Sequence, residues 1–308
     1  TRGDHLIGEE EASCFVCRDH IWIGARLIKS KTLAVFNAPN ETAGNGNNLK
    51  DPLFGRYQIA FDLEERTIQR SAEVGSLIRI NHLAKAGEPL TPSMAVRFLG
   101  GYVPVYSRED EHDNSLLRDK KSDEIKADGI KAFHHIAKAA RNTQNGSDKD
   151  TGVEALGILK ADVDNLGKLF ACGLPKERLN LSRLATLSRQ MNDFFSIYLP
   201  NLCATDPCFS NLYTVFAGGD DLFLIGPWNR VIDFSEVLQK SFNRFACENA
   251  EITISVGISV NKPGMPVPAI ARQAEKALKA SKDAGRNRLT MFDETVTWAE
   301  FGQLLIIR

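Results

Sequence analysis

Gly218, Gly219, Asp220 and Asp221 lie between two runs of apolar and β-branched residues, 213–217 and 222–226. That pattern reads as two strands joined by a tight turn whose tip carries two carboxylates. Glycine accepts positive φ and lets a ligand come close to the backbone. Adjacent carboxylates repel one another unless a cation stands beside them, and a divalent metal carrying phosphate is the usual solution. A hairpin with a solvated tip explains the same four residues equally well, so the motif needs a second, independent feature.

Asp162 and Asp164 supply it. They follow an apolar run at 153–161 that reads as a buried strand, in Lys160-Ala-Asp-Val-Asp-Asn-Leu-Gly167. The elements that must position these acids can be read in order. Residues 182–199 place Leu184, Leu187, Met191, Phe194, Phe195 and Tyr198 at helical spacing, with a stop expected before Pro200. After the hairpin, 231–247 puts Phe234, Val237, Leu238, Phe242 and Phe245 on one helical face. A strand at 252–260, an amphipathic helix at 268–284 ending at Gly285, and a strand at 288–292 complete the series. The order is that of an α/β (α+β) fold, a ferredoxin-like palm of the polymerase and cyclase kind, βαββαβ plus an extra helix and strand. In this topology the third strand inserts between the first two, antiparallel to both. The end of the first strand then lies beside the start of the third. Asp162, Asp164, Asp220 and Asp221 would meet at one sheet edge and hold one or two Mg²⁺ or Mn²⁺ ions that orient a triphosphate. Lys282 and Arg286 flank Gly285, where cations favour a helix C-terminus in any protein. Beside a metal edge they also suit a triphosphate, the arginine fork giving directional bonds. Lys168, after Gly167, admits the same two readings.

The remainder is less specific. Cys14 and Cys17 form a Cys-x-x-Cys pair that suits zinc, but a closed structural Zn²⁺ site needs four ligands, and His20 would make only a third. Strand-like runs at 56–63, 76–81 and 95–106 suggest a mixed module that contains β-strands, and the charged run 108–128 reads as a solvated linker. His112-Asp113 is a fragment of a His-Asp phosphohydrolase signature whose other residues are missing. His134-His135 falls in a helical-looking run, 123–141, where neighbours face different ways and packing is the expected role. The expected organisation is a linker module over 1–128, a palm over 129–295 and the start of a helical region over 296–308. The 308 residues are 43% hydrophobic with a formal net charge of −1, so any nucleic-acid binding needs local patches or partner subunits. No apolar run spans a bilayer and no secretory signal opens the sequence, which leads to an expectation of a cytoplasmic protein without membrane contact. The sequence begins with Thr1 and ends abruptly at Arg308, as a piece of a longer protein would.

The blocks Lys160–Gly167, Ala185–Gln190, Tyr213–Trp228 and Ser281–Arg288 closely resemble the large signature subunit of type III-A, Csm-type CRISPR interference complexes. The match is dense over 156–292 and looser before it, through Cys-x-x-Cys, Phe-Gly-Arg-Tyr and Gly-Tyr-Val-Pro. The palm is also similar to that of GGDEF diguanylate cyclases, except that Asp221-Leu222 replaces Glu-Phe. The resemblance implies an enzyme that joins ATP into cyclic oligoadenylates when its complex holds target RNA. A 3′-hydroxyl attacks an α-phosphate, Asp220 and Asp221 with Asp162 manage the metals, and Gly218, Gly219, Lys282 and Arg286 meet the nucleotide. It further implies other CRISPR subunits and CRISPR RNA as partners, and a second Cys pair upstream. A His-Asp nuclease domain and a first palm would also lie upstream, so DNase activity is not expected of this chain. A GTP-using cyclase and a catalytically silent scaffold are the alternatives.

Overall fold

The computed structural model describes residues 5–7, 11–13, 15–37, 48–49, 53–84, 96–98, 101–112, 116, 125–141 and 152–307. The chain divides into two compact units, Thr1–Leu99 and Gly100–Arg308.

In the first unit, β1 (His5–Ile7) and β2 (Glu11–Ser13) pair antiparallel. Helix α1 (Phe15–Lys29) leads into a four-stranded sheet made of β3 (Thr32–Phe36), β4 (Gln58–Phe61), β5 (Leu77–Ala84) and β6 (Val96–Phe98). Its order is β4-β3-β5-β6, and α2 (Glu65–Glu73) connects β4 to β5. Alternation along β3 buries Ala34 and Phe36 against Ala60. The Asp62 carboxylate accepts from the N–H groups of Lys31 and Thr32 at 2.7 and 3.0 Å, which fixes the entry to β3. Cys17 falls within α1; Cys14 lies outside the described residues, and with it the zinc knuckle.

The second unit is built on a six-stranded sheet of β7 (Leu156–Val163), β8 (Tyr213–Gly218), β9 (Asp221–Pro227), β10 (Ile254–Asn261), β11 (Arg288–Met291) and β12 (Glu294–Thr297). The order is β12-β11-β10-β7-β9-β8, with β9 inserted between β7 and β8 and antiparallel to both, as the element order requires. This is the split β-α-β palm, extended by β11, parallel to β10, and by the antiparallel β12. Helices cover both faces. On one face α7 (Trp228–Phe245) and the α5 (Leu181–Asp193) to α6 (Leu199–Thr205) run bury Met191, Phe195, Phe234 and Phe242 against Leu159, Ala161, Leu222 and Leu224. On the other, α3 (Phe133–Lys138) and α8 (Val267–Asp283) bury Ile136, Ile270 and Ala274 against Leu156, Ile158 and Ile225. The short α4 (Leu166–Cys172) follows β7, and α9 (Trp298–Ile307) closes the chain with Phe301 in the core.

Two helix expectations need correction. The helix expected to stop before Pro200 runs on, because residues Phe194–Tyr198 form a π-helical turn and Pro200 falls in the first turn of α6, where its missing N–H costs nothing. The helical-looking run 123–141 is helical only at α3 among the described residues. Tyr106 takes the preceding backbone instead, its N–H donating to Gly129 O at 2.8 Å and its carbonyl accepting from Asp128 N at 3.0 Å. Asp128 sits at φ 63°, which helix cannot accommodate. His135 is buried with its Nδ1 2.6 Å from Tyr106 Oη, and the adjacent His134 ring lies 4.0 Å away, closer than neighbours on a regular helix would suggest. Among the described residues, no helix is long and apolar enough to cross a membrane.

Candidate functional site

The apolar interior of β7 gives way to charge at its C-terminal end, and the sheet register decides what that end meets. Asp162 of β7 stands directly opposite Asp221, the first residue of β9. Cross-strand partners share a face and place their Cβ atoms about 4.5–5.5 Å apart. The β8–β9 turn delivers Asp221 to this place: Gly218 pairs with Asp221, and Gly219 and Asp220 form the two-residue tip. Gly219 has φ 65° and Asp220 does not have positive φ, the pattern of a type II′ turn that demands glycine at its first central position. Asn192 Oδ1 accepts from Gly219 N at 3.1 Å, and the Asp220 carbonyl accepts from Val163 N at 3.2 Å, tying the tip to α5 and to the end of β7.

Helix α8 supplies the opposite charge, and a close approach sets its position. A methyl group on Gly257 of β10 would overlap Leu278 N, lie 2.5 Å from Ala274 O and 2.6 Å from Leu278 Cα, so only glycine lets α8 rest this near the sheet. Ser281, fully buried, donates to Val256 O at 2.8 Å and meets Thr290 Oγ1 at 2.6 Å, holding the end of the helix against β10 and β11. The next residue, Lys282, forms an ion pair with Asp162. One face of the same helix brings Glu275 to Lys160, paired at 2.7 Å, and Lys160 Nζ lies 5.4 Å from the centre of the Phe223 ring. Lys160, Asp162, Asp221, Phe223, Glu275, Leu278 and Lys282 thus line one cleft of about 290 Å³.

The cleft is electrostatically tense. Burial pushes the Asp162 carboxyl above the usual carboxylate range; Lys282 pulls it back, while the charges of Asp221 and Asp220 raise it again. Asp221 is raised too, first by lost hydration between the packed strands and helix, then by Asp220 and Glu275, against the lowering influence of Lys282 and Lys160. Lys282 therefore sits where positive charge is most needed, and a divalent cation would relieve the same repulsion.

The other residues singled out from sequence fall in different places. Asp164 is 3% exposed and its oxygens are engaged: Oδ2 accepts from Thr253 Oγ1 at 2.7 Å and Asn287 N at 3.0 Å, and Oδ1 from Ser255 Oγ at 2.7 Å. It ties the end of β7 to β10 and to the turn after α8, and is not a wall of the cleft. Arg286 is exposed at φ 63° in that turn, beyond the cleft lining. Lys168 is exposed in α4. Gly218 and Gly219 shape the turn, and Asp220 stands at its tip. Among the described residues no three His, Cys, Asp or Glu side chains are grouped closely enough to hold a metal by themselves. The donors present nevertheless fit Mg²⁺ or Mn²⁺, because hard ions of this kind take one or two carboxylates and complete their shell with water and phosphate. Sequence reading passed over Lys160, Glu275 and Phe223. Each was within reach of it: Lys160 and Phe223 lie two residues from Asp162 and Asp221 on the same strand faces, and Glu275 is two helical turns before Lys282.

A family model described as Cas10/Cmr2, second palm domain, matches residues 155–290. Among curated proteins, the chain is 32% identical over 160 residues to the CRISPR system single-strand-specific deoxyribonuclease Cas10/Csm1 (subtype III-A) of Enterococcus italicus, covering 51% of this chain and 20% of that protein. Its similarity to the protein of the same description from Methanocaldococcus jannaschii is 32% over 169 residues, covering 48% and 21%. With that of Thermococcus onnurineus it is 28% over 236 residues, covering 72% and 26%. The chain thus spans between 20% and 26% of these relatives' lengths. Among solved structures, the apo Csm1-Csm4 cassette matches with a TM-score of 0.65 at 20% identity, over 94% of this chain and 38% of that one. The same cassette with one ATP matches with a TM-score of 0.64 at 21% identity, over 95% and 38%. At such identities these structures establish a shared fold.

Proposed function

We infer, from its membership of the Cas10/Csm1 large subunits of type III-A CRISPR systems, whose second palm residues 155–290 form, that this chain carries half of a nucleotidyltransferase site that polymerises ATP into cyclic oligoadenylates. The register that sets Asp162 opposite Asp221 beside the Lys282 ammonium carries the reading. It is supported by structures of similar fold, Csm1-Csm4 cassettes in complex with one ATP, pppApA, pppApApA, cA3 and cA4. The reaction forms a 3′-oxygen to α-phosphorus bond and releases pyrophosphate, and it runs when the complex holds target RNA. The palm of 129–295 works with other subunits of that complex, with CRISPR RNA, and with the parts of the large subunit this chain does not span.

Asp162 and Asp221, with Asp220 at the tip, would hold the Mg²⁺ or Mn²⁺, which supplies positive charge at the reacting phosphate and its attacking and leaving oxygens. Lys282 neutralises Asp162 in the absence of substrate and turns to phosphate when the triphosphate enters. Arg286, on its exposed turn, reaches the outer phosphates as a bidentate donor. Gly218 and Gly219 let the nucleotide approach the backbone of the turn. Asp164 acts through position alone, holding the end of β7 and the start of β11 in register.

The test is to supply the assembled complex with ATP, Mg²⁺ and target RNA and to measure cyclic oligoadenylates by mass spectrometry. Replacing Asp220 and Asp221 with alanine should abolish the product. An unchanged yield would sink the assignment, and product made from GTP in preference to ATP would redirect it to a diguanylate-type cyclase.

A further inference from the structure

Strand β8 contains an irregularity beside the site. Thr214 pairs with Leu224 and Phe216 pairs with Phe223, so Val215 is an extra residue in the ladder, a bulge. Bulges shift the alternation of side chains and commonly re-aim one next to an active site. Here the shift gives Phe216 the face of its partner Phe223, the face that also carries Asp221, Asp162 and Lys160. Phe216 is 53% exposed, whereas Tyr213, on the same face at the other end of β8, is covered by the Phe133 ring at 5.6 Å. The ring is aimed along the strand toward the turn: a Cβ placed on Gly218 would lie 4.0 Å from Phe216 Cζ. Beyond it, Gly218 adds no side chain, and on the next strand Phe223, the partner of Phe216, lines the cleft that holds Asp162 and Asp221.

An exposed phenyl ring loses the hydrophobic gain of burial, and a bulge forgoes a ladder pairing. The two features at adjacent positions, one strand from Asp221, suit a flat apolar occupant whose charged end lies at the cleft. A purine nucleotide has that form, its base being a π-face and its phosphates the anion that Lys282 and a divalent cation would meet. We propose that Phe216 is the stacking platform for the base of a nucleotide whose phosphates occupy the Asp162–Asp221 cleft, with Phe223 as the floor between them. The proposal rests on the nucleotidyltransferase reading and deepens it by naming where the base lies. Stacking recognises any base, so this platform orders the substrate and leaves discrimination between adenine and guanine to other groups.

The experiment uses the assembled complex, with Phe216→Ala, Phe216→Trp and unaltered protein each titrated calorimetrically with ATP and with inorganic tripolyphosphate in the presence of Mg²⁺. Base–aromatic stacking contributes ~1–3 kcal/mol per base by alanine substitution, so Phe216→Ala should weaken ATP binding about 5- to 150-fold. Tripolyphosphate binding should stay unchanged, and Phe216→Trp should restore ATP affinity. Unchanged ATP affinity in Phe216→Ala, or an equal loss for tripolyphosphate, would overturn the platform. Release of a subunit from the Phe216→Ala complex would overturn it in favour of a protein contact at this ring. If the unaltered complex binds tripolyphosphate and ATP equally well, the base has no site here and the platform fails while the phosphate cleft stands. If it binds neither, the nucleotidyltransferase reading itself fails.

Discussion

Replacing Gly257 with alanine should move helix α8 and, with it, the charge that balances the carboxylates. The added methyl would lie 2.6 Å from Leu278 Cα and 2.5 Å from Ala274 O, both in the backbone of the helix. Carbon atoms rest at about 3.5–4.0 Å, so α8 must retreat by ~1 Å, since no rotamer change can relieve a backbone contact. Overpacking of this kind costs ~1–3 kcal/mol. For a unit of 150–250 residues that corresponds to a fall in melting temperature of ~2–12 °C. The retreat carries Glu275 and Lys282 away from Lys160 and Asp162, and a misplacement of ~1 Å can reduce turnover by about 100-fold. Calorimetry of the chain and oligoadenylate synthesis by the assembled complex read the two effects. Gly264→Ala is the control, since a methyl there meets nothing within 4 Å. A Gly257→Ala protein with unaltered melting and full activity would refute the claim that this close approach positions the site.

Two further predictions follow from the crowding of carboxylates. Asp221→Asn should raise the melting temperature of the metal-free protein while abolishing synthesis, because it removes repulsion from Asp220 and Glu275. The residue is largely exposed and screened, so the gain should be only ~0.2–1 kcal/mol, measured by thermal denaturation in EDTA. The pH dependence has a definite sign. Asp162 and Asp221 are both raised in the folded state, so they bind protons more tightly there than when unfolded. Their contribution to stability is fully present below the unfolded carboxylate value and is lost as pH rises through the raised folded values. Mg²⁺ competes with those protons, so its stabilising effect should grow with pH over the same window, in denaturation measured with and without the ion.

The fold was legible because the palm half alternates its periods cleanly. Strands with apolar runs and helices with stripes such as Phe234, Leu238 and Phe242 fixed the element order, and the order fixed which strand lies between which. That order alone brings Asp162 to the same edge as the Asp220-Asp221 pair, and the register then sets Asp162 opposite Asp221. The roles of the individual acids were less legible. Asp164 has the same side chain and nearly the same position as Asp162, and only donors far along the chain, the hydroxyls of Thr253 and Ser255 at the start of β10 and the Asn287 N–H, reveal that its oxygens are occupied. The passage through Pro200 depended on a π-helical turn that side-chain periodicity does not announce. The single-residue bulge at Val215 was hidden for a similar reason: Tyr213, Thr214, Val215 and Phe216 all favour strands and do not alternate apolar with polar, so neither register could be preferred from sequence.

The division of labour between Asp162 and Asp164 tests the account most directly. Oligoadenylate synthesis and thermal stability should be measured together on complexes carrying Asp162→Asn or Asp164→Asn, with ATP, Mg²⁺ and target RNA. Asp162→Asn should remain folded and lose synthesis by about 100-fold or more, as expected for loss of a group that manages charge at the reacting phosphate. Asp164→Asn should melt at lower temperature, having lost charge-assisted bonds to Thr253, Ser255 and Asn287, while its folded fraction retains synthesis. An active Asp162→Asn complex beside a stable but inactive Asp164→Asn complex would contradict the account.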